Sequence, residues 1–209
     1  MTISSAFGRA LGLCLITLFL STTTANAQYV VINEIEVFEG DNGQYVELFG
    51  DPSLDLSGLS IALVKATFLG GGVYEAQVYN VLDLTGETLN EDGFASFDLP
   101  LNTTIAAVAL YEMEGGSIEL DSAPPSDDII DALVYGNTSP ANPQAATILQ
   151  SLMPAGSGLI YEGGEGNAQS QSISRFQDGG EAFDVNSYVL QAPTKGISNI
   201  LVCFFFDPT

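Results

Sequence analysis

The chain has no histidine and no tryptophan, and only 4 of its 209 residues are basic. Without histidine there is no Ser-His or Cys-His nucleophile system, no His-ligated zinc and no imidazole base. Two cysteines, Cys14 and Cys203, are the whole thiol inventory. Against the few cations stand 26 acids, for a net charge of −22. A surface so poor in lysine and arginine cannot neutralise a phosphate backbone, which excludes nucleic acid as a partner. It also repels anionic lipid. Cations, basic proteins and mineral surfaces are the partners such a charge tolerates or attracts.

Long apolar runs are scarce too. Leu11 to Leu20 is the main one, preceded by Arg9 and followed by Ala25-Asn26-Ala27. This is the pattern of a secretory signal over residues 1–27, cut before Gln28. The run is well short of the ~20 residues a spanning helix needs, so no membrane span is expected. The mature protein would then be secreted and extracellular, with Lys65, Arg175 and Lys195 as its only cations and a charge of −23. Cys14 leaves with the signal. Cys203 can make no internal disulfide; it is either an apolar filler beside Phe204-Phe205-Phe206 or one half of an intermolecular bridge.

What is present is strand periodicity. β-branched and aromatic runs occupy 29–38, 44–49, 59–68, 73–84, 93–99, 105–112, 129–135, 172–176 and 185–190, split by Gly, Pro, Asn and Asp turns. Many short strands at this spacing predict an all-β sandwich. The run Ile105 to Tyr111 is apolar at every position and predicts a strand buried on both faces. One helix interrupts the pattern: Asn142 as N-cap, Pro143 at the first helical position, and Ala145, Ile148, Leu149 and Leu152 on one face. The chain therefore divides into the signal, one domain over 28–200, and a short tail over 201–209.

Polar residues inside apolar strands carry the structural argument. Asn33 and Glu34 interrupt the first strand, so their side chains must meet backbone groups, water or a cation. Arg175 lies in a late strand and is expected to clamp a carboxylate, Glu34 or Glu47. Gly58, Gly136 and Gly196 are expected at tight turns.

Five segments in order resemble the lamin tail domain in its secreted form. They are Val31-Ile32-Asn33-Glu34-Ile35, Tyr45-Val46-Glu47-Leu48, Asp55-Leu56-Ser57-Gly58, Asp131-Ala132-Leu133-Val134-Tyr135-Gly136, and Ser172-Ile173-Ser174-Arg175 with Asp178-Gly179 and Pro193-Thr194-Lys195-Gly196-Ile197-Ser198-Asn199. Lys195 stands where the family usually has a second proline, which loosens that turn. The resemblance implies an immunoglobulin-like β-sandwich with one short helix here, structural roles for Asn33, Glu34, Glu47, Arg175, Gly196 and Asn199, and no catalytic residue. Nuclear lamin tails are associated with chromatin; the acidity and the signal point this chain outward instead.

The acidic loops offer the remaining chemistry. Glu39 and Asp41, Asp121 with Asp127 and Asp128, and Glu162 with Glu165 are oxygen-rich clusters of the kind calcium takes, though none follows an EF-hand spacing. Asn102-Thr103-Thr104 and Asn137-Thr138-Ser139 are glycosylation acceptors if the source is eukaryotic. The expected function is a non-enzymatic, secreted interaction or surface-attachment module, its partner an extracellular protein, a glycan or a cation-bridged surface. The alternatives are an acidic calcium- or mineral-binding matrix protein and, because secreted lamin-tail-like domains occur fused to hydrolases, the accessory domain of one.

Overall fold

The computed structural model describes residues 29–38, 43–113, 116–136, 142–165 and 170–199. The expected signal and tail, Glu39, Asp41, Asn137 and Cys203 lie outside them.

Among the described residues, ten strands form two sheets of five, joined face to face as a β-sandwich. The strands are β1 (Val30–Glu36), β2 (Tyr45–Gly50), β3 (Leu59–Gly70), β4 (Val73–Asp83), β5 (Phe94–Asp98), β6 (Ile105–Glu112), β7 (Ile129–Gly136), β8 (Ile160–Tyr161), β9 (Ser172–Arg175) and β10 (Tyr188–Gln191). The first sheet runs β10-β9-β1-β2-β5 and the second β4-β3-β6-β7-β8. Pairing is antiparallel except between β7 and the two-residue β8. The nine strands expected from periodicity are all present, although the last, expected from Val185, begins only at Tyr188 because Val185–Ser187 form a 3-10 turn capped by Asp184. β8 was too short to carry a period.

The core between the sheets alternates along each strand. Ile61 and Leu63 of β3, Val108 and Leu110 of β6, and Leu133 and Tyr135 of β7 face Ile32, Ile35, Val46 and Leu48 of the first sheet. Each such aliphatic side chain contributes about 1.5–3 kcal/mol when removed from water. The intervening residues Ala62, Val64, Ala107, Ala109, Tyr111, Ala132 and Val134 form a second core on the outer side of the second sheet. That core explains the run of apolar residues in β6, buried from Ala106 to Tyr111. It needs a cover, and the cover is α1 (Pro143–Gln150), whose Leu149 packs there together with Leu152 and Met153 just beyond it. Asn142 caps α1 as expected, its Oδ1 accepting from the N–H groups of Gln144 at 3.1 Å and Ala145 at 3.2 Å.

One irregularity in β1 organises the rest. Ile32 pairs with Leu48, but Glu34, not Asn33, pairs with Glu47. Asn33 is thus the extra residue of a β-bulge. Strict alternation from Val30 and Ile32 would send Glu34 into the core; the bulge sends Ile35 and Val37 there instead, and all four are core residues. Gly136, expected at a tight turn, is a strand residue of β7 whose missing side chain leaves room for the Tyr161 ring, 3.1 Å from where a Cβ would stand.

Candidate functional site

The β1–β9 register stops at Glu34, and beyond it two inward-facing side chains take up the backbone of Ile32. Asp131 of β7 accepts from the Ile32 N–H at 2.9 Å, while Arg175 Nε donates to the Ile32 carbonyl at 2.8 Å. Tyr188 Oη donates to that same carbonyl at 2.6 Å. Arg175 and Asp131 then pair directly, Nη2 to Oδ2 at 3.1 Å, with both side chains fully buried. The expected partners of Arg175, Glu34 and Glu47, are therefore not its partners. Those two lie on the outer face of the first sheet, whereas Arg175 shares the inner phase of Ile173. The ion pair ties one sheet to the other.

Arg175 is otherwise saturated. Nη1 donates to the Glu181 carbonyl at 2.9 Å and to Ser187 Oγ at 2.8 Å, and the guanidinium lies 4.6 Å from the Tyr188 ring centroid. Asp131 Oδ1 accepts from the N–H groups of Phe183 at 2.7 Å and Ala132 at 2.9 Å. Burial pushes the Asp131 carboxyl up, and Arg175 and the N–H donors push against it.

A second network covers the outer face of the same strands. The chain after β10 crosses this face as a strap, residues 192–199. Glu34, fully buried, accepts from the Thr194 N–H at 2.9 Å, the Thr194 hydroxyl at 2.6 Å and the Tyr45 hydroxyl at 2.6 Å. Ser172 Oγ also donates to it. Glu47 accepts from Gly196 N–H at 2.5 Å, Ser96 Oγ at 2.8 Å and Asn33 Nδ2 at 3.2 Å. Desolvation nonetheless pushes the Glu47 carboxyl up to about 7, because those three donors offset only part of the burial and Glu34 adds repulsion. Burial and the neighbouring Glu34 likewise raise the Tyr45 phenol. Gly196 turns with φ +77°, a left-handed conformation that a side chain would strain.

Asn33 links the two networks. Its Nδ2 donates to Asp178 Oδ1 at 3.0 Å and its Oδ1 accepts from Gly179 N–H at 3.1 Å. Asn199 closes the strap, its N–H donating to Asp178 Oδ1 at 3.0 Å. Lys195, expected to loosen this turn, reaches Asp98 Oδ1 at 2.5 Å and sits 5.0 Å from the Tyr45 ring centroid. The turn itself is closed by the Ile197 N–H on the Thr194 carbonyl at 2.9 Å. So Asn33, Glu34, Glu47, Gly196 and Asn199 converge on the outer face as one clasp of fixed donors and acceptors, while Arg175 belongs to the inner network.

The loop acids behave differently. Asp121, Asp127 and Asp128 are exposed between β6 and β7. Among the described residues, no three His, Cys, Asp or Glu side chains come together as a metal-holding group. Asn102 is half-buried, its Oδ1 accepting from Thr104 N–H at 2.8 Å and Thr104 Oγ1 at 2.7 Å. Also among the described residues, no helix is long and apolar enough to cross a membrane.

Three features escaped sequence reading. Asp131 had a signal: it shares the inward phase of Leu133 and Tyr135, so a charge was bound to face the core. Asp178 had none beyond its Asp-Gly turn. The third is the tip of the β3–β4 hairpin. Gly71 and Gly72, both with positive φ, make the two-residue turn. Beside it Phe68, Leu69 and Val73 are 56%, 58% and 55% exposed. Phe68 packs on Tyr74 with ring centroids 5.0 Å apart, and the Tyr74 hydroxyl accepts from Asn142 Nδ2.

Compared with family models, with curated proteins and with solved structures, the chain matches none.

Proposed function

We propose that this protein is a secreted, non-catalytic binding module of the lamin-tail type, with an immunoglobulin-like sandwich as its scaffold. The observation that carries the reading is the division of labour among its side chains. The polar groups of the clasp spend their hydrogen bonds inside the protein, while the β3–β4 tip presents Phe68, Leu69 and Val73 to solvent. Large exposed apolar side chains gathered on one turn mark contact sites for other molecules. The tip is held by Tyr74 and the cap of α1, so docking there costs little ordering entropy. An apolar tip on an acidic body suits an extracellular protein better than a bare glycan. Among the segments that carry the lamin-tail resemblance, those of β1, β2, β9 and the strap contribute to the clasp and that of β7 to the ion pair beneath it, whereas Asp55 to Gly58 lies outside both; the four that meet support a shared architecture.

The test uses fluorescently labelled protein applied to cells of its source. Saturable surface binding is expected, lost in a Phe68→Ser/Leu69→Ser/Val73→Ser variant whose melting temperature matches the parent. Equal binding by the variant, or turnover in a broad hydrolase screen, would overturn the proposal.

A further inference from the structure

Where β1 ends, two carboxyl groups meet face to face. Glu36 and Glu162 are both fully buried. Each has one oxygen on the backbone: Glu36 Oε1 accepts from Phe38 N–H at 3.1 Å, and Glu162 Oε2 from Val37 N–H at 3.2 Å. Their other oxygens, Glu36 Oε2 and Glu162 Oε1, meet no N–H or O–H donor of the protein. The two carboxyls are hydrogen-bonded to each other instead. Ionised carboxylates only accept, so that bond requires a proton. Glu34, Glu47 and Asp131, the other buried acids among the described residues, need none, because hydroxyl, amide and guanidinium donors meet them.

Nothing nearby can take the place of that proton. The titratable groups around the pair are Glu34 on the same strand, Tyr45 of β2 and Tyr135 of β7, with Tyr79 of β4 behind Tyr135. All are acids. Arg175 of β9 is turned to Asp131, and Lys195 of the strap to Asp98. Burial raises both carboxyls, and the charge of Glu36 raises Glu162 further. The segment that the pair holds is thinly attached otherwise. β8 joins β7 through two register pairs only, Tyr135 with Ile160 and Gly136 with Tyr161, and Glu162 opens the 3-10 turn Glu162–Glu165 directly after it. β1, by contrast, is paired on both sides. Without the proton, two buried charges stand face to face, and moving the short segment relieves them at least cost. We infer that Glu36 and Glu162 form a proton-held latch that docks residues 160–165 on the end of β1 and releases them when the proton leaves, baring the β7 edge at Tyr135 and Gly136. The latch stands independently of the binding-module reading.

Docking takes up a proton that the open segment has released above pH ~4.5, so the opening constant should rise about tenfold per pH unit through neutral. Amide hydrogen exchange of the protein, read by mass spectrometry from about pH 6 to about pH 9 and corrected for the intrinsic rate, measures it. Residues 36–38 and 160–165 are expected to lose protection at that slope. They should also exchange faster than Ala107 to Leu110 in the middle of β6, which report global unfolding. Glu162→Gln places an amide donor where the proton stands, and Glu36→Gln does the same from the other side. In both variants the slope should vanish. Protection in the parent that is equal at the two ends of the pH range, exchange of both segments in step with β6, or a slope retained in Glu162→Gln would each overturn the inference.

Discussion

Replacing Asp131 by alanine removes one carboxylate and strands four donors. Arg175 keeps its charge in a fully buried site, and the N–H groups of Ile32, Phe183 and Ala132 lose their acceptor. Breaking a buried ion pair from one side costs about 3–5 kcal/mol, and buried orphan N–H groups add to it. The expected loss for Asp131→Ala is therefore about 5 kcal/mol, or about 10–20 °C in melting temperature for a domain of this size. Arg175→Met should cost less, about 3 kcal/mol, because Asp131 keeps three backbone donors. The Ile32 carbonyl also keeps the Tyr188 hydroxyl.

The double variant decides the matter. Once Asp131 is gone, removing Arg175 also removes the stranded charge. Asp131→Ala/Arg175→Met should be no less stable than Asp131→Ala alone, a coupling of about 2–3 kcal/mol by urea unfolding. Losses that add to within about 0.5 kcal/mol would refute a direct pair between the sheets. Coupling of Arg175 to Glu34 or Glu47 instead would return it to the outer face.

Three further outcomes follow from the same geometry. Desolvation pushes the Glu47 carboxyl up to about 7, and burial also raises those of Glu36 and Glu162, which face each other. The folded protein then holds protons that the unfolded chain has released, so stability is full below pH ~4.5 and falls as pH rises through 7 and beyond, by roughly 3 kcal/mol for Glu47 alone. Urea unfolding at pH 5 and pH 8 measures this, and a protein more stable at pH 8 would contradict it. Asn33→Ala should remain folded and lose about 2 kcal/mol by urea unfolding, because Glu47, Asp178 and the Gly179 N–H lose their partner; an unchanged stability would contradict the role of the bulge side chain. Asn142→Ala should cost about 1 kcal/mol of stability by removing the cap of α1, measured by thermal unfolding.

The sheet architecture was legible because it is written in side-chain period. Nine strands announced themselves by alternation, and the doubly buried β6 by its lack of polar residues. The helix was legible through Asn142 and Pro143, which act locally on their own N–H groups. Arg175 was legible only as a clamp. Its partner depends on which face of the sandwich β9 presents to β7, and pairing between distant strands leaves no trace in local pattern. The meeting of Glu36 and Glu162 was hidden for the same reason, since 125 residues separate Val37 from the Glu162 carboxylate that reaches it.

The bulge is the instructive middle case. In Val30-Val31-Ile32-Asn33-Glu34-Ile35-Glu36-Val37 the core residues stand two apart, then three, then two. That three-residue step is visible in the sequence, and an amphipathic strand can make it only by inserting a residue. The inserted residue is polar because its side chain meets loop groups, the Asp178 carboxylate and the Gly179 N–H. Once the step is read as a bulge, the rest follows in order. Ile32 requires a buried donor and a buried acceptor, and Arg175 and Asp131 are the pair of charges whose phases face inward to supply them. Glu34 and Glu47 are thereby turned to the outer face, where the strap from Thr194 to Asn199 supplies their donors. The polar residues of the first strand are thus consequences of one register step, and the clasp is what that step requires to stay buried.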